Sequence, residues 1–453
     1  MIVCKFGGTS VGDAPAIQRL VAVITARAHE QPLVVVSALA GVTDGLLAVA
    51  HAAQIGDVSA VEIGLDTLED RHDEVAAQLG CPAETRELIG AEHSRLRINL
   101  VDGRLDLADP AQWDYLVGHG ELWSSRLVTA ALNTSGLTAS LADARTFMLT
   151  DDRFGRARPR NDALDQAARA AILPLLDAGH VVVTQGFIGS APDGRPTTLG
   201  RGGSDYTAAL LGAALDAARV EIWTDVSGLM SADPRIVPTA RTLAAASYEE
   251  AAELATFGAK VLHPATQMPL VHKGIPFQIL NSREPTHPGT LIAPEARLER
   301  LGNSPIRSIS YKKGITTLSI RAPRMLGTFG FLRKLFAVFE THEVVVDVVA
   351  TSEVSVSLTI EDPDRLPTIR PELEAIGELT VAEGRAIVAV VGIGLRDTPG
   401  IAARVFRATE PANVEIISQG ASAINITFVV RESDGPDIVR RLHAEFFGPE
   451  GRA

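Results

Sequence analysis

The chain has 453 residues, 46% of them hydrophobic and 21% charged, which is the composition of a globular protein long enough for two or three domains. Its formal net charge is −13 and it has no block of Lys and Arg, which argues against nucleic acid and anionic membranes as main partners. Two cysteines, Cys4 and Cys81, cannot form a disulfide framework, and no apolar run reaches the ~18 residues of a membrane span, so we expect a cytoplasmic protein.

From residue 2 to residue 280, apolar strand-like runs alternate with helical stretches. The strand-like runs are Ile2–Phe6, Leu33–Ser37, Val181–Gln185, Val220–Thr224 and Phe277–Leu280. Helical patterns include Ala14–Ala28 and Ala246–Phe257, and Ser247 with Glu250 forms a capping box at the start of the second. Continuous apolar strands separated by helices indicate a parallel sheet that is covered on both faces.

The rhythm of the pattern changes after residues 281–294, which contain three prolines, and we expect the first domain to end at residue 294. The next elements follow the order βαββαβ over residues 314–385, which is the ferredoxin-like unit. Residues 386–453 repeat this order but are one strand short. We predict that the run 306–312, with Ser308–Lys312 as its strand, supplies the missing edge strand and makes the second module discontinuous.

Two glycine-rich turns follow strand-like runs. Lys5-Phe6-Gly7-Gly8-Thr9-Ser10 combines adjacent glycines with a lysine, so backbone amides and a positive charge can approach an anion. Gly200-Arg201-Gly202-Gly203-Ser204-Asp205 precedes a helical run whose N-terminus attracts anions, and its arginine offers a planar fork for a carboxylate or phosphate. Neither turn has the spacing of a P-loop or of a dinucleotide fingerprint, and each alone also fits a tight turn with a solvated cation. Two such turns in one α/β domain favour a phosphate site.

Six separated motifs resemble those of the aspartokinases, within the amino acid kinase family, and occur in that family's order. They are Lys5–Val11, Val36–Asp44, His119–Glu121, Arg153–Ala157, Thr197–Thr207 and Phe257–Pro264. The resemblance covers essentially the whole chain and is greatest to monofunctional, lysine-sensitive members. It implies an α/β amino acid kinase fold, with a parallel-rich central sheet sandwiched by helices, followed by two ferredoxin-like ACT modules.

The resemblance also implies an activity. It is ATP-dependent phosphorylation, with Mg²⁺, of the side-chain carboxylate of L-aspartate to 4-phospho-L-aspartate, the first step towards lysine, threonine and methionine. An aspartate carboxylate is already ionised near pH 7, so the transfer needs no general base. It needs cations and backbone dipoles around the γ-phosphoryl group, because an anion must attack a polyphosphate.

The family's motifs assign a role to each matching position. The implied catalytic residues are Lys5, Lys260 and Asp205, with the two lysines on the phosphates and the aspartate orienting them. The implied aspartate pocket consists of Ser37, Thr43, Glu121, Phe154 and Arg201. In it the arginine holds a carboxylate and the glutamate accepts from the α-ammonium group. The implied ATP-binding residues are Lys5, Gly7, Gly8, Gly202, Gly203, Ser204, Thr224, Asp225, Arg235 and Lys260. Position 230 is Met where related enzymes often have Tyr, so a hydroxyl contact to the nucleoside is lost.

The C-terminal modules resemble ACT domains that bind a feedback inhibitor. The implied lysine site consists of Met325, Phe331, Leu332, Asp347, Thr351, Ser352 and Glu353. Its two acids would accept from the two ammonium groups of lysine, and backbone amides near Gly330 would bind the carboxylate. Threonine stays open as an alternative effector. Exposed sheet edges predict a homodimer through these modules, and further assembly to a tetramer stays open.

Other classes of protein fit the sequence less well. Kinases that act on glutamate, N-acetylglutamate or carbamate lack the tandem modules and the Phe257–Pro264 stretch. A catalytically silent amino-acid sensor has no chemical demand for the cations and acids of the implied active site. A dehydrogenase of the Rossmann type is disfavoured because the Gly-x-Gly-x-x-Gly fingerprint is missing.

Overall fold

The computed structural model describes residues 1–256, 264–295, 305–322 and 329–448. These residues form two units. The N-terminal unit comprises residues 1–228, 244–248 and 264–295, and the C-terminal unit comprises residues 229–243, 249–256, 305–322 and 329–448. None of the helices within the described ranges combines the length and the apolarity that a membrane crossing requires.

The N-terminal unit contains ten strands. They are β1 (Ile2–Phe6), β2 (Pro32–Val36), β3 (Ala139–Ala142), β4 (Val181–Gln185), β5 (Ile188–Ser190), β6 (Pro196–Thr198), β7 (Val220–Thr224), β8 (Ala245–Ser247), β9 (Phe277–Asn281) and β10 (Thr290–Ala293). Eight of them form one sheet in the order β3-β4-β2-β1-β7-β9-β10-β8, while β5 and β6 form a separate antiparallel pair. Every neighbouring pair in the large sheet is parallel except β9 and β10. The five strands predicted from the sequence are β1, β2, β4, β7 and β9.

The helices up to residue 273 are α1 (Ala14–Arg27), α2 (Val42–Gln54), α3 (Val58–Gln78), α4 (Ala83–Val101), α5 (Pro110–Val117), α6 (His119–Thr134), α7 (Asn161–Asp177), α8 (Gly203–Ala214), α9 (Tyr248–Thr256) and α10 (Pro264–Lys273), of which α9 lies almost entirely in the C-terminal unit. Helices of the N-terminal unit, among them α6, α7 and α8, pack on the large sheet. Every residue of β1, β2 and β4 is buried, which is why apolar residues predominate in these strands. Local signals place helix starts: Asp13 caps α1 by accepting from the Ala16 N–H at 2.7 Å, and α9 begins directly after Ser247.

The C-terminal unit is built on a six-stranded sheet, and its described residues form four helices after residue 330 in addition to α9. Its elements are β11 (Ser308–Arg321), α11 (Phe331–Thr341), β12 (Val346–Thr351), β13 (Ser355–Ile360), α12 (Leu366–Ile376), β14 (Glu378–Val391), α13 (Ile401–Thr409), β15 (Ile416–Gln419), β16 (Asn425–Arg431) and α14 (Gly435–Phe447). The strand order is β12-β13-β11-β14-β16-β15, and each neighbouring pair is antiparallel. Two hydrophobic cores lie in this unit, one containing Leu318 and Leu335 and the other Val388 and Leu442.

The long strands β11 and β14 differ from the sequence prediction, which broke each of them into two. The segment Ser308–Lys312 pairs with residues 387–391 of β14, and residues 316–321 continue as part of the first module. Gly314 and Gly384, each next to a charged residue, are typical of a turn, and both adopt a positive φ (75° and 66°). The chain nevertheless continues as one strand on either side of each glycine, and the pairing only shifts register between Lys312 and Ile315. The predicted break is therefore an irregularity inside continuous strands.

Residues 229–243 and 249–256 belong to the C-terminal unit, whereas the boundary expected at residue 294 would group them with the first domain. Packing explains the difference. Ala232 and Val237 are buried in the same core as Ile309, and the Ser308 hydroxyl donates to the Met230 carbonyl at 2.7 Å.

Candidate active site

A cavity of about 650 Å³ lies in the N-terminal unit, where β1 and β2 end and α8 begins. The carboxyl ends of parallel strands are where α/β proteins place ligands. Many of the predicted residues line this one cavity: Lys5, Gly8, Ser37, Thr43, Glu121, Arg201, Gly202, Gly203, Ser204 and Asp205. The fold therefore brings together positions that are up to 200 residues apart in the chain.

Lys5, one of the cations that line this cavity, is held by a carboxylate. Lys5 Nζ lies 2.7 Å from Asp205 Oδ1, and the two side chains are only 9% and 17% exposed. Lys5 comes from β1, and Asp205 lies in the first turn of α8, which begins after Gly202 with a left-handed φ of 73°. The pair therefore joins the end of a strand to a helix N-terminus, the two features that the glycine-rich turns predicted.

The glycines in these turns let neighbouring segments pack closely, and some of their amides form hydrogen bonds within the protein. A Cβ atom at Gly8 would lie 3.1 Å from the Ala38 carbonyl oxygen, so a larger residue there would push the loop after β1 slightly away from the loop after β2. The amides of Gly7 and Gly203 donate to the Trp223 and Gly200 carbonyls, at 3.1 and 2.9 Å. Those two amides are engaged within the protein, which differs from the expectation that they would face a phosphate.

Glu121, predicted to accept from the α-ammonium group, is a buried acid on α6. Its Oε1 accepts from the Ala38 N–H at 3.0 Å, while its Oε2 is buried without a hydrogen-bond partner among the described residues. The residue is 3% exposed, and this burial raises its pKa to about 8. Helix α6 can approach the loop after β2 because Gly120 has no side chain: a Cβ atom at Gly120 would lie 2.7 Å from the Cβ atom of Ala38.

The remaining predicted aspartate-pocket residues differ in their placement. Ser37 follows β2, and its carbonyl accepts from the Ser124 hydroxyl at 2.8 Å. Thr43 lies in the first turn of α2, and Arg201 is exposed at the cavity. Phe154 is half-buried beneath the guanidinium group of Arg195, 4.6 Å from the ring centroid, and it is not among the residues that line the cavity.

Some residues that were not predicted from the sequence line the cavity as well, among them Asp114 and Phe187. Asp114 is a buried acid on α5, inside the apolar run Trp113–Val117, and burial raises its pKa. Phe187 has a left-handed φ of 68°, and a Cβ at Gly203 would lie 2.6 Å from its ring. A lone acid within an apolar helical stretch was a usable signal for Asp114, whereas nothing local marks Phe187.

The predicted nucleotide residues fall into three groups. Thr224 and Asp225 lie at the end of β7, the strand beside β1. Arg235 belongs to the C-terminal unit, where its highly exposed side chain pairs with Asp233 at 2.6 Å. Met230 is in the same unit, and the Thr242 hydroxyl donates to its sulfur at 3.4 Å. Lys260 lies outside the described residues.

The predicted effector residues lie on or next to α11 and β12. Phe331 begins α11 after Gly330, which has a φ of 76°, and Leu332 is 42% exposed. The exposed residues Thr351, Ser352 and Glu353 end β12 and form the turn to β13. Met325 lies outside the described residues.

Asp347 is the buried member of the predicted effector site, and it has a cationic partner. Lys312 of β11 lies 3.4 Å from its carboxylate and also pairs with Glu361. Burial raises the pKa of Asp347, and the lysine partly offsets this effect. Lys312 was not predicted to take part in this site.

Comparisons with known proteins agree with this geometry. The amino acid kinase family matches residues 1–281, and an ACT domain matches residues 388–446. Lysine-sensitive aspartokinase 3 of Escherichia coli is 40% identical over 99% of both chains. Aspartokinase 1, chloroplastic, of Arabidopsis thaliana is 35% identical over 98% of this chain and 80% of its own length.

Solved structures give the same result. Aspartokinase III of E. coli in complex with aspartate and ADP superimposes with a TM-score of 0.86 at 39% identity, covering 99% of this chain and 100% of that one. The same enzyme in complex with lysine and aspartate gives a TM-score of 0.83 at 40% identity, covering 99% of both chains. Fold and site thus define an amino acid kinase with an ACT-type regulatory region. The chain belongs to the aspartokinases.

Proposed function

We propose that this chain transfers the γ-phosphoryl group of ATP to the side-chain carboxylate of L-aspartate, and that L-lysine inhibits the reaction through the C-terminal modules. One observation carries the proposal: the Lys5–Asp205 ion pair and the acid and cation expected to hold an amino acid line the same cavity. Support comes from the E. coli enzyme, whose structures contain aspartate with ADP, and lysine with aspartate.

In this proposal Arg201 and Glu121 orient the substrate. Arg201 binds a carboxylate through its planar fork, and Oε2 of Glu121, which has no hydrogen-bond partner among the described residues, accepts from the α-ammonium group. The side-chain carboxylate then points at the phosphate. Because it is already ionised near pH 7, no side chain has to remove a proton from it.

Lys5 lowers the repulsion between the attacking carboxylate and the phosphates. Its ammonium group is kept at the cavity by Asp205, so little reorganisation is needed when negative charge develops on the transferred group. The backbone around Gly202 and Ser204, at the start of α8, provides a positive field for phosphate oxygens, and Gly8 lines the same cavity from the loop after β1. Thr224 and Asp225 are proposed to contact the nucleoside, and the roles predicted for Lys260, Arg235 and the other ATP-binding positions stay predictions.

The site fits magnesium that arrives with the nucleotide. Within the described ranges, no group of three or more His, Cys, Asp or Glu side chains is arranged to hold a metal ion. Mg²⁺ commonly uses one or two carboxylates together with substrate phosphates and water, and Asp205 is a carboxylate at the cavity. When bound, Mg²⁺ neutralises charge on the β- and γ-phosphate oxygens.

The regulatory part of the proposal rests on Asp347. The Asp347 carboxylate on β12 is suited to binding an ammonium group, and the ammonium group of Lys312 already lies 3.4 Å from it. We also propose a catalytic domain within residues 1–294, apart from residues 229–243 and 249–256, which belong to the C-terminal unit, and ACT modules of residues 314–385 and 386–453, the latter completed by residues 306–312. A homodimer through these modules and a cytoplasmic location complete the proposal.

The test is ATP- and Mg²⁺-dependent acyl phosphate formation by the full chain, trapped with hydroxylamine. Aspartate should be a substrate, whereas glutamate and N-acetylglutamate should not be. Lysine should lower the rate at subsaturating aspartate. A chain that phosphorylates glutamate and not aspartate would refute the proposed substrate, and inhibition by threonine but not lysine would refute the proposed effector.

A further inference from the structure

We propose that Asp114 is a positioning residue for the substrate: it joins the two loops that border the amino-acid end of the cavity and so determines the affinity for aspartate without touching it. This inference rests on the proposed function. Asp114 is 4% exposed, and α5 places it at the wall of the cavity.

The carboxylate of Asp114 accepts hydrogen bonds from two separate segments. The Gly155 N–H lies 3.0 and 2.9 Å from its two oxygens. From the other segment, the Thr198 N–H donates to Oδ2 at 2.7 Å and the Thr198 hydroxyl donates to Oδ1 at 2.8 Å. Both oxygens are thus engaged by the protein, so this carboxylate is not available as a ligand for the substrate's ammonium group.

The two segments carry or adjoin residues of the proposed substrate pocket. Gly155 directly follows Phe154, and Thr198 ends β6 two residues before Gly200. The segments also touch each other, because a Cβ at Gly200 would lie 3.1 Å from the Gly155 carbonyl oxygen. Arg201 is the next residue, so its backbone is placed by this junction.

A carboxylate is needed at this junction because every partner is a donor. An amide in its place would direct an NH₂ group at one of the donors, and an alanine would leave buried N–H groups without an acceptor. The junction would then loosen while α8, Lys5 and Asp205 kept their own contacts. Misplacement of a substrate-binding group by about 1 Å is enough for a large loss of productive binding.

The experiment compares Asp114→Asn, Thr198→Val and Thr198→Ser in the full chain. We expect Asp114→Asn to raise the KM for aspartate by about tenfold or more, with less than about a threefold change in kcat and in the KM for ATP. Thr198→Val, which removes only the hydroxyl donor, should raise the KM for aspartate less. Thr198→Ser restores that donor and should resemble the parent enzyme.

Glu221→Gln is the matched control for the loss of a buried carboxylate. Glu221 is 1% exposed, and it accepts from the Trp223 indole at 3.0 Å and pairs with Arg27 and Arg219, but it does not line the cavity. We expect this control to lower Tm and leave the KM for aspartate unchanged.

Three results would overturn the inference. In the first, Asp114→Asn lowers kcat and raises both KM values by similar factors. In the second, the KM for aspartate rises as much in the Glu221→Gln control as in Asp114→Asn. In the third, the KM for aspartate of Asp114→Asn equals that of the parent enzyme. If Asp114→Asn does not fold, Thr198→Val against Thr198→Ser decides by the same criteria. Failure of the parent enzyme to phosphorylate aspartate would instead refute the proposed function, so the two failures are distinguishable.

Discussion

Lys5 and Arg201 line the same cavity but are held differently, which separates their expected roles. Lys5 is buried and paired with Asp205 at 2.7 Å, whereas Arg201 is exposed and follows a glycine with a left-handed φ. A pre-positioned cation stabilises charge that develops during phosphoryl transfer, and its effect falls mainly on kcat. A flexible planar cation that grips a carboxylate contributes mainly to substrate binding.

We therefore expect Lys5→Ala to lower kcat by about 10²–10³-fold with little change in the KM for aspartate. Arg201→Ala should raise the KM for aspartate by about tenfold or more and change kcat less, because it removes a charge-assisted contact to the substrate. Steady-state kinetics in both substrates measure the two effects. Lys273→Ala, which removes only an exposed ion pair with Asp216, is the control. Comparable KM effects from both variants would mean that the roles are misassigned.

Glu121 predicts a pH dependence of aspartate binding. Its pKa is raised to about 8, so the free site is mostly protonated at pH 7, whereas an ammonium partner favours the ionised form. The other titratable groups at the cavity are Lys5, Asp44, Asp114, Arg201 and Asp205. Binding should therefore release a proton below pH 8. The KM for aspartate should fall about tenfold per unit as pH rises from 6 towards 7, and level off above 8.

Calorimetry in buffers of different ionisation enthalpy measures this proton release directly. Glu121→Gln removes the titrating group but keeps its size and one acceptor oxygen, so this variant should bind aspartate more weakly and with no pH dependence in this range. Binding whose heat does not vary with the buffer, or a Gln variant that keeps the pH profile, would show that Glu121 is not the group that titrates.

At the scale of elements, helices α3, α4 and α6 meet around buried imidazoles. His72 and His93 are 0% and 1% exposed, and the His93 ring stacks on Trp123 with 3.8 Å between centroids. Within the described part of the chain, both ring nitrogens of His93, Nε2 of His72 and the Trp123 indole N–H have no hydrogen-bond partner. Burial lowers the pKa of His72 to about 4 and that of His93 to about 3. This packing therefore requires neutral rings.

The cluster should make the fold acid-sensitive. Below the unfolded pKa of about 6.5 the unfolded chain binds protons that the folded rings do not, so stability falls as pH falls. Each histidine contributes a loss of up to about 1.4 kcal/mol per pH unit between pH 6.5 and its folded pKa. His93→Phe keeps an aromatic ring on Trp123, so it should flatten the fall of Tm from pH 6.5 to 4.5. His29→Phe, at an exposed position, should not. Parallel pH profiles for both variants would contradict this.

Elements and sites with local signals could be predicted, and those defined by tertiary contacts could not. The buried strands and the Lys5 and Asp205 turns are marked by runs of apolar residues and by glycine pairs. The acid at Asp114, inside an apolar helical run, could have been recognised as buried, but its role depends on donors from residues 155 and 198, which no local pattern reveals. The sequence predicted that the strand ends near Gly314, and this prediction was wrong for a related reason. Residues on both sides of this glycine pair with β14, and this tertiary pairing overrides the local turn signal.

The proposed lysine inhibition has to be a coupling between two ligands. If lysine raises the dissociation constant of aspartate by some factor, aspartate must raise that of lysine by the same factor. A variant that removes lysine binding alone should thus lose inhibition and keep the activity measured without lysine. Asp347 provides such a variant, because it lies in the C-terminal unit and pairs there with Lys312.

We expect Asp347→Asn to raise the lysine concentration for half-inhibition by about tenfold or more, because the effector's ammonium group loses a buried anionic partner. Basal kcat and the KM for aspartate should stay within about twofold of the parent values, because the substitution affects the effector site and no lysine is present in that measurement. Glu372→Gln, at an exposed acid that pairs with His342, should leave inhibition unchanged. Inhibition curves at several aspartate concentrations measure both quantities in one experiment. Unchanged inhibition in Asp347→Asn would place the effector elsewhere, whereas a parallel loss of basal activity would show that Asp347 supports the fold instead of binding lysine.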